Sequence, residues 1–442
     1  MSAAEPPEPA GRFLWLPRGT RPPVPVPRRQ ETVLLLVGAT YYFSGYDLYV
    51  GALALPQIQH SLGIAENAIG PTLSWFRLAA LPALLIAVSA DVLGRRRALL
   101  FTGFFAVIMT VGSAFAQTRG DFIGLQTLAR VFTYSEEILC VVIIAEEIDE
   151  RVRGWASGIL ATIGASGAGL AIVLFAAVNV LPFGWRAMYA VGGAALLSLA
   201  LSRRWLRETR RFERRRKEIE QAGSTLRAMA NLLIQLRCEY PGRLAALMLA
   251  AGAFGFAAGP STALMSKYLQ QTHGYSPPQV TVFYVAIGLI SLGASFVAGR
   301  LSDRIGRRTV ALGTIALSGV GFAGFYSGRV GALFPASAMI ALGALSGDSL
   351  LSGYAAEIFP TAYRATASGV RFAVAALGTG LGLFLEGRLY DSFGAHGPAI
   401  SILLAALPLA LIAILLLPEP ALRRLEDIAP TRSSEPLPQA SA

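Results

Sequence analysis

The stretch GRLSDRIGRR, from Gly299 to Arg308, lies between two apolar runs that are each long enough to cross a bilayer. It places one acid, two glycines and four arginines in ten residues. Glycines permit a tight change of direction, and arginines are concentrated where loops leave a membrane. The stretch therefore predicts a short basic turn that joins two membrane spans.

A weaker copy of this turn, AVSADVLGRR, occupies residues 87–96, so that Asp91 and Asp303 stand 212 residues apart. A second motif, an acid followed seven residues later by arginine, repeats at a spacing of 211 residues: Glu146 and Arg153, then Glu357 and Arg364. Two unrelated motifs share almost the same period, which chance explains poorly. The sequence therefore indicates two homologous halves.

Together these motifs resemble those of the major facilitator superfamily, and more narrowly its sugar-porter and metabolite:proton symporter branches. The resemblance runs from residue 32 to residue 428 and includes GYD at residues 45–47, WLRETRRF at 205–212 and PEPALRRLEDI at 418–428. It departs from the family where Ala87 replaces a glycine and where arginines replace both prolines of the WLPETPRF pattern. These departures are compatible with membership of the family, but they do not allow the substrate of this chain to be inferred from the family.

The resemblance implies an all-α membrane protein with twelve transmembrane helices in two pseudo-symmetric six-helix bundles, which transports by alternating access. It also implies an intracellular charge network that latches the outward-facing state. Anchoring by positive charge alone would explain the arginines of this network, but neither its acids nor its repetition. The predicted conformational latch comprises Asp91, Gly94, Arg95, Glu146, Arg153, Asp303, Gly306, Arg307, Glu357 and Arg364.

Composition independently predicts a membrane protein. Hydrophobic residues make up 54% of the chain and charged residues only 15%, whereas a soluble domain carries about 25% charged residues. Twelve apolar spans are predicted to start near residues 33, 67, 98, 122, 155, 184, 244, 279, 309, 331, 366 and 397. The predicted organisation is a solvated tail over residues 1–31, bundles at 32–205 and 244–418, a linker at 206–243 and a tail at 419–442.

The net charge of +11 has two readings, nucleic-acid binding or membrane orientation, and the distribution of basic residues decides between them. Few of the 38 Lys and Arg fall in the predicted outer loops, namely Arg119, Arg186, Lys267, Arg329 and Arg388. This bias places both termini in the cytoplasm of a multi-pass protein of the cytoplasmic membrane. The partners expected are a small-molecule substrate, protons and lipid, with no nucleic acid, and the protein is expected to be monomeric.

Residues of ordinary catalytic and metal sites are scarce. Cys140 falls in the fourth span and Cys238 in the central loop, so they do not form a disulfide framework. His60, His273 and His396 fall in different outer loops, which argues against a metal site. No phosphate-binding glycine loop and no nucleophile elbow occur. We therefore expect no enzyme activity and no cofactor, and we expect an ion gradient to drive transport.

Two acids within predicted spans are candidates for proton coupling. Asp47 lies in the run YYFSGYDLYVGALALP of the first span, where a carboxylate costs about 2.5–3.5 kcal/mol to insert. It is either the leading proton carrier or a structural acid that bonds to a neighbouring helix. Asp348 lies nine residues before Glu357 in the tenth span, about 13 Å deeper in the membrane. Pairing of Asp348 with Arg371 is geometrically doubtful, because Arg371 should lie near the inner end of its span.

The fourth span carries Arg130, Glu136 and Glu137. Arg130 and Glu137 are two helical turns apart and share a face, whereas Glu136 is rotated by about 100° from Glu137. At least one of the two carboxylates should face a central cavity, although both could instead be counterions of Arg130 and Arg77. Arg77 in the second span either extends to the membrane surface or faces a partner. The predicted substrate cavity comprises Tyr46, Arg77, Arg130, Glu136 and Glu137.

Glycines in two spans predict special helix geometry. The fifth span contains Gly158, Gly164, Gly167 and Gly169, which permit close helix packing. In the seventh span, Gly259 and Pro260 predict an interruption of the helix, of the kind that lines binding sites in transporters or that packing alone produces.

Three functions remain open from the sequence. The first is a proton-coupled symporter that takes up a small polar metabolite, an organic acid or a sugar. The second is efflux of a drug or metabolite by proton antiport, which the missing Gly-Pro pair of the fifth span makes less favourable. The third is a membrane sensor that keeps the fold but does not transport.

Overall fold

A computed structural model describes residues 11–149, 151–202 and 225–419. Within these ranges the chain forms α-helices joined by short turns, with no β-strand. The helices are α1 (Arg28–Leu53), α2 (Leu55–Leu62), α3 (Ile69–Leu78), α4 (Ala80–Leu93), α5 (Arg95–Ala114), α6 (Arg119–Glu147), α7 (Arg153–Phe175), α8 (Trp185–Ser202), α9 (Thr225–Glu239), α10 (Pro241–Ala263), α11 (Met265–Gln271), α12 (Pro277–Ile305), α13 (Arg307–Phe325), α14 (Val330–Glu357), α15 (Thr361–Phe393), α16 (His396–Leu403) and α17 (Leu407–Leu415).

The predicted all-α membrane fold is confirmed. Each predicted span start falls within a helix or within two residues of one. Among the described residues, eight helical stretches are long and apolar enough to cross a membrane: Glu66–Ala90, Arg95–Ala114, Arg153–Phe175, Pro241–Gln271, Arg307–Phe325, Val330–Ala355, Tyr363–Phe393 and His396–Leu415. Helices α1 and α6 are also long, and they carry Asp47, Arg130, Glu136 and Glu137.

Contacts divide the chain into two compact units. Unit 1 comprises Met1–Arg227, Thr262–Ala286 and Leu383–Gly394, and unit 2 comprises Ala228–Ser261, Ile287–Gly382 and Ala395–Ala442. Unit 1 therefore contains the first half of the sequence together with α11, the start of α12 and the last part of α15. The predicted bundle boundaries stay predictions. Most of the predicted linker's basic run, at residues 203–224, lies outside the described residues, as does nearly all of the predicted C-terminal tail.

Glycines bring helices into backbone contact at repeated positions in the two halves. In unit 1, a Cβ atom on Gly167 of α7 would overlap the carbonyl oxygen of Tyr42 on α1. In unit 2, a Cβ on Gly378 of α15 would overlap the carbonyl oxygen of Gly252 on α10. The same pair of spans, first with fifth and seventh with eleventh, is thus closely packed in each half. This agreement supports the internal repeat that the sequence indicates.

The two predicted turns also share one backbone conformation. Gly94 joins α4 to α5 with a φ of 98°, and Gly306 joins α12 to α13 with a φ of 105°. Residues with a side chain rarely adopt this region, so both turns depend on glycine. The internal repeat is therefore present in the backbone conformation as well as in the amino-acid sequence.

The predicted break in the seventh span is displaced. Helix α10 continues through Pro260 and ends at Ala263, and α11 begins after Leu264. Prolines are tolerated inside membrane helices where neighbouring groups satisfy the backbone. The interruption is therefore real, but it lies about one turn later than Gly259 and Pro260 suggest.

The interpretation of the N-terminal region as a solvated tail is wrong for residues 11–27. Phe13 and Val26 are each 2% exposed and belong to an apolar cluster with residues of α1, α6 and α7. The Glu31 carboxylate accepts hydrogen bonds from the backbone N–H groups of Arg12, at 2.9 Å, and Phe13, at 2.7 Å. The many prolines and arginines of this segment concealed three apolar anchors, of which Leu16 is the third.

We expect Phe13→Ala to loosen this packed segment, because truncating a buried phenylalanine typically costs about 3–5 kcal/mol. Limited trypsin digestion measures the effect, since Arg12, Arg18 and Arg21 lie in the segment. The matched control is Leu14→Ala, because Leu14 is the next residue and is 70% exposed. Equal cleavage rates for the two variants would contradict a packed role for Phe13.

Candidate functional site

A buried ion pair joins α1 and α6 in unit 1. Nη1 of Arg130 lies 3.3 Å from Oδ2 of Asp47, and Nη2 of Arg130 donates a 2.8 Å hydrogen bond to the backbone carbonyl of Asp47. Asp47 is 1% exposed and Arg130 is 4% exposed. Two opposite charges removed from water in this way stabilise each other, and the loss of either leaves a costly buried charge. The sequence predicted both residues but not that they pair.

Tyr189, which the sequence analysis did not select, lies beside this ion pair. It is fully buried on α8, with its ring edge-on to Trp185 and Phe122. A Cβ on Gly51 would lie 3.1 Å from the Tyr189 hydroxyl and 3.9 Å from Nη2 of Arg130. Gly51 therefore leaves the space in which both polar groups reach α1. A tyrosine four residues after a tryptophan was the only signal in the sequence, and it is not specific.

Tyr46 is turned towards α8 instead. Its hydroxyl donates a 2.7 Å hydrogen bond to the backbone carbonyl of Met188, and its side chain is buried. A Cβ on Gly192 would overlap the Tyr46 ring, so α8 packs closely on it. This geometry describes a packing contact, and a contact of Tyr46 with substrate stays a prediction.

Arg77 points into unit 1. Its Nη1 lies 3.4 Å from the Tyr134 hydroxyl on α6, at the end of α3 where the chain continues into α4 at Ala79. This contact favours the alternative in which Arg77 faces a partner over the one in which its side chain extends to the membrane surface.

Glu136 and Glu137 differ in burial. Glu136 is fully buried, and Glu137 is partly exposed. Glu137 interacts electrostatically with Arg130, Asp47 and Arg77, so it belongs to the same charge cluster. Of the two adjacent carboxylic side chains, only that of Glu137 has exposed surface, and a role of either in a substrate cavity stays a prediction.

In unit 2, Asp348 of α14 pairs with Arg371 of α15 at 2.8 Å. The doubt about this pairing was wrong because α15 begins at Thr361, about one turn earlier than expected, which carries Arg371 about 15 Å along the helix. The Arg371 side chain is buried, whereas the Asp348 side chain is 57% exposed. The Asp348 carboxylate is thus exposed on one side and paired with Arg371 on the other.

Among the residues that the structure describes, a matching ion pair between predicted latch residues occurs in each half. Nη2 of Arg95 lies 3.2 Å from the Glu146 carboxylate, and Nε of Arg307 lies 2.5 Å from the Glu357 carboxylate. These pairs connect the start of α5 with the end of α6, and the start of α13 with the end of α14. The predicted role in conformational control stays a prediction.

The structure describes contacts for some of the other predicted latch residues and not for others. Arg364 donates from Nε to the carbonyl oxygen of Phe359 at 3.2 Å, and Arg153 at the start of α7 is engaged in further contacts. The side chains of Asp91 and Asp303 lie outside the described residues. The sequence missed Glu419, whose carboxylate accepts hydrogen bonds from the backbone N–H groups of Arg307 and Arg308 at 2.9 and 3.0 Å.

Three residues assigned to outer loops are placed differently. Lys267 lies in α11 and is fully buried, because the helix that resumes after Leu264 extends to Gln271. His396 begins α16 and is 9% exposed, and His60 lies near the end of α2. Of the three histidines, His60 is exposed but helical, His273 lies in the turn after α11 and is partly buried, and only His396 is both helical and buried.

Comparisons with known proteins agree with this architecture. The sequence matches the profile of the Major Facilitator Superfamily over residues 35–295 and 247–436. No curated protein matches it significantly.

Similar solved structures include the inward-open xylose transporter XylE from E. coli, with 18% identity, a TM-score of 0.69 and coverage of 90% of this chain and 99% of that one. They also include a bacterial homologue of the human lysosomal transporter Spinster, with 18% identity, a TM-score of 0.69 and coverage of 88% and 96%. The nucleoside transporter NupG gives 14% identity, a TM-score of 0.70 and coverage of 87% and 99%. At these levels of sequence identity, the similarity to the solved structures shows the fold alone.

Proposed function

The chain belongs to the major facilitator superfamily, and from that premise we propose that it is a proton-coupled symporter that takes up a small polar metabolite by alternating access. The observation that carries the proposal is the buried pair of Asp47 and Arg130. A carboxylate that is removed from water and paired with one arginine has two stable arrangements, charged with its partner or protonated without it.

Proton binding at Asp47 removes the negative charge that holds Arg130. The guanidinium then needs another partner, since an unpaired buried charge costs several kcal/mol. Glu137 and an anionic or strongly polar substrate are the partners within reach of this cluster. Proton uptake and substrate binding are thereby linked, and loss of the proton restores the original pair. Asp348 is the second candidate for proton coupling, because its carboxylate is exposed while Arg371 anchors it.

The charge arrangement favours an organic acid over a sugar. Arg130 and Arg371 each bond to a carboxylate, whereas the hydrogen-bonding group described for Arg77 is the neutral Tyr134 hydroxyl, with Glu137 interacting only electrostatically. A guanidinium with a neutral partner can still bind a carboxylate through two hydrogen bonds. We therefore assign Arg77 to the substrate's acidic group.

We propose that the protein is a monomer in the cytoplasmic membrane with both termini in the cytoplasm. The support for this orientation is the distribution of basic residues, together with the position of the Arg95 and Arg307 turns at helix ends. In this orientation the pairs with Glu146 and Glu357 lie on the cytoplasmic side, where they would stabilise one of the two access states.

Efflux by proton antiport is the second candidate function. Three acids, Asp47, Glu136 and Glu137, lie in the α1–α6 region, so a cationic compound also finds complementary charge there. The direction of transport separates this candidate from uptake.

Purified protein in liposomes with an imposed inward proton gradient tests the proposal. The compounds are lactate, succinate, D-xylose and D-glucose for uptake, and preloaded ethidium for export. We expect an acid to accumulate above its external concentration and a protonophore to abolish the accumulation. Export of ethidium would establish the antiport candidate instead. No movement of any compound, relative to protein-free liposomes, would support a non-transporting sensor and contradict the proposal.

A further inference from the structure

The hydroxyl group of Tyr189 is buried without a hydrogen-bond partner in the part of the chain that the structure describes. The side chain has no exposed surface. Its ring lies edge-on to Phe122 of α6, at 6.2 Å between centroids, and to Trp185 of α8, at 5.9 Å. These two rings fix the position of the hydroxyl. Nearly all buried polar groups in proteins are hydrogen-bonded, so a fixed hydroxyl without a bond requires an explanation.

The Arg130 guanidinium lies close to this hydroxyl. The Cβ position of Gly51 is 3.1 Å from the Tyr189 hydroxyl and 3.9 Å from Nη2 of Arg130. Apart from α1 itself, no other atom of the described residues lies within 4 Å of that position. Because residue 51 is glycine, no side chain separates the two polar groups there. Tyr189 also interacts electrostatically with both Arg130 and Asp47.

In the arrangement observed, Arg130 is held by Asp47. The ion pair between Nη1 and Oδ2 is long, at 3.3 Å, and Oδ2 makes no hydrogen bond within the described residues. The shorter contact, at 2.8 Å, joins Nη2 to the backbone carbonyl of Asp47, which does not titrate. Nη2 carries two hydrogens and this bond uses one of them. A small movement of the guanidinium towards Tyr189 can therefore keep the carbonyl bond while the ion pair is lost.

We propose that Tyr189 is a positioning residue for proton coupling: its hydroxyl accepts a hydrogen bond from Arg130 when Asp47 is protonated, and so sets the pH at which Asp47 takes up its proton. The inference rests on the proposed function, in which Asp47 carries the proton. A buried guanidinium that has lost its counter-charge is costly, and a tyrosine oxygen can accept one of its N–H groups. Tyr189 thus stabilises the protonated state until substrate reaches the guanidinium.

The other titratable groups around the ion pair are less suited to this role. Helix α1 contributes Tyr46, and α6 contributes Tyr134 and Glu137. Both tyrosine hydroxyls already take part in hydrogen bonds. Glu137 lies two helical turns, or about 10.5 Å, along α6 from Arg130. Helix α7 also packs against α1, and it carries no titratable side chain after its first residue.

Infrared spectroscopy of the purified protein in detergent tests the inference without any substrate. As the pH is lowered, each carboxylate that binds a proton gains a carbonyl band, and the part of the band that is lost in Asp47→Asn belongs to Asp47. We expect Tyr189→Phe to move the midpoint of this band to lower pH by about one unit, because the protonated state loses a hydrogen bond to a charged group. Phenylalanine retains the ring and its aromatic contacts.

A second variant on a different helix tests the same geometry. The methyl group of Gly51→Ala would stand 3.1 Å from the Tyr189 hydroxyl, on the side of the guanidinium, and should also move the midpoint to lower pH. This variant decides the outcome if Tyr189→Phe does not fold. Tyr354→Phe is the matched control, because Tyr354 is also fully buried without a described hydrogen bond from its hydroxyl, but lies in α14 of unit 2. Its midpoint should equal that of the unchanged protein.

The possible results separate this inference from the proposed function. A midpoint that stays the same or moves to higher pH in Tyr189→Phe would overturn the role of Tyr189, as would the absence of a titrating Asp47 band. Proton-driven uptake by liposomes together with an unchanged midpoint in Tyr189→Phe leaves the proposed function standing without this role. The expected shift in a protein that moves no compound would support the role of Tyr189 and count against symport.

Discussion

Asp47→Asn is expected to abolish accumulation driven by a proton gradient while exchange of substrate across the membrane continues. Asparagine matches aspartate in size but cannot lose a proton, so binding and release of H⁺ no longer accompany the transport cycle. The loss should be at least about a hundredfold, because Asp47 is the leading proton carrier in the proposed mechanism. Exchange needs only substrate binding and movement of the protein, neither of which requires the negative charge.

Two assays on the same proteoliposomes separate these outcomes, namely uptake under an imposed gradient and counterflow at equal pH. Asp391→Asn is the matched control, since Asp391 is exposed near the end of α15. Asp47→Asn leaves Arg130 without its counter-charge, at a cost of about 3–5 kcal/mol, so a double variant with Arg130→Met removes both charges. Normal accumulation in Asp47→Asn would exclude Asp47 from proton coupling. A folded double variant that still accumulates substrate would exclude both Asp47 and Arg130 from proton coupling.

The features that the sequence predicted well are those set by local chemistry and by the repeat. Gly94 and Gly306 were identifiable because a short turn between two spans needs a glycine, and both have positive φ. Asp47 and Arg130 stood out because charges are costly inside a membrane, whatever their partner. The partner depends on how α1 and α6 are rotated about their axes, which apolar sequence does not specify.

The features that the sequence missed depend on where helices begin and end. Lys267 was assigned to an outer loop, whereas it lies in α11, and Arg371 was placed near a helix end because α15 appeared to start later. A shift of one turn moves a residue by about 5.4 Å, which decides whether it reaches a partner. Phe13 was missed for a different reason, since the apolar run at residues 13–16, in a segment rich in proline and arginine, is too short to show a helical or strand periodicity.

Gly167→Ala is expected to prevent stable folding of unit 1. The added methyl group would overlap the carbonyl oxygen of Tyr42, and the obstacle is backbone of another helix, which has no rotamer by which to move aside. Overpacking in a core typically costs about 1–3 kcal/mol, and a clash between two backbones belongs at or above the top of that range. Membrane helices associate through such close contacts, so α1 and α7 would separate.

Gly169→Ala is the matched control, because it lies two residues along the same helix and an added Cβ there meets open space. Both glycines are predicted from the sequence to permit close packing, and only the structure distinguishes the one that packs from the one that does not. Expression, monodispersity in detergent and thermal unfolding of the two variants measure the difference. Similar unfolding temperatures for Gly167→Ala and Gly169→Ala would mean that α1 and α7 are not in the close contact described. A large loss confined to Gly167→Ala would show that α1, the helix bearing Asp47, is held in place by this contact.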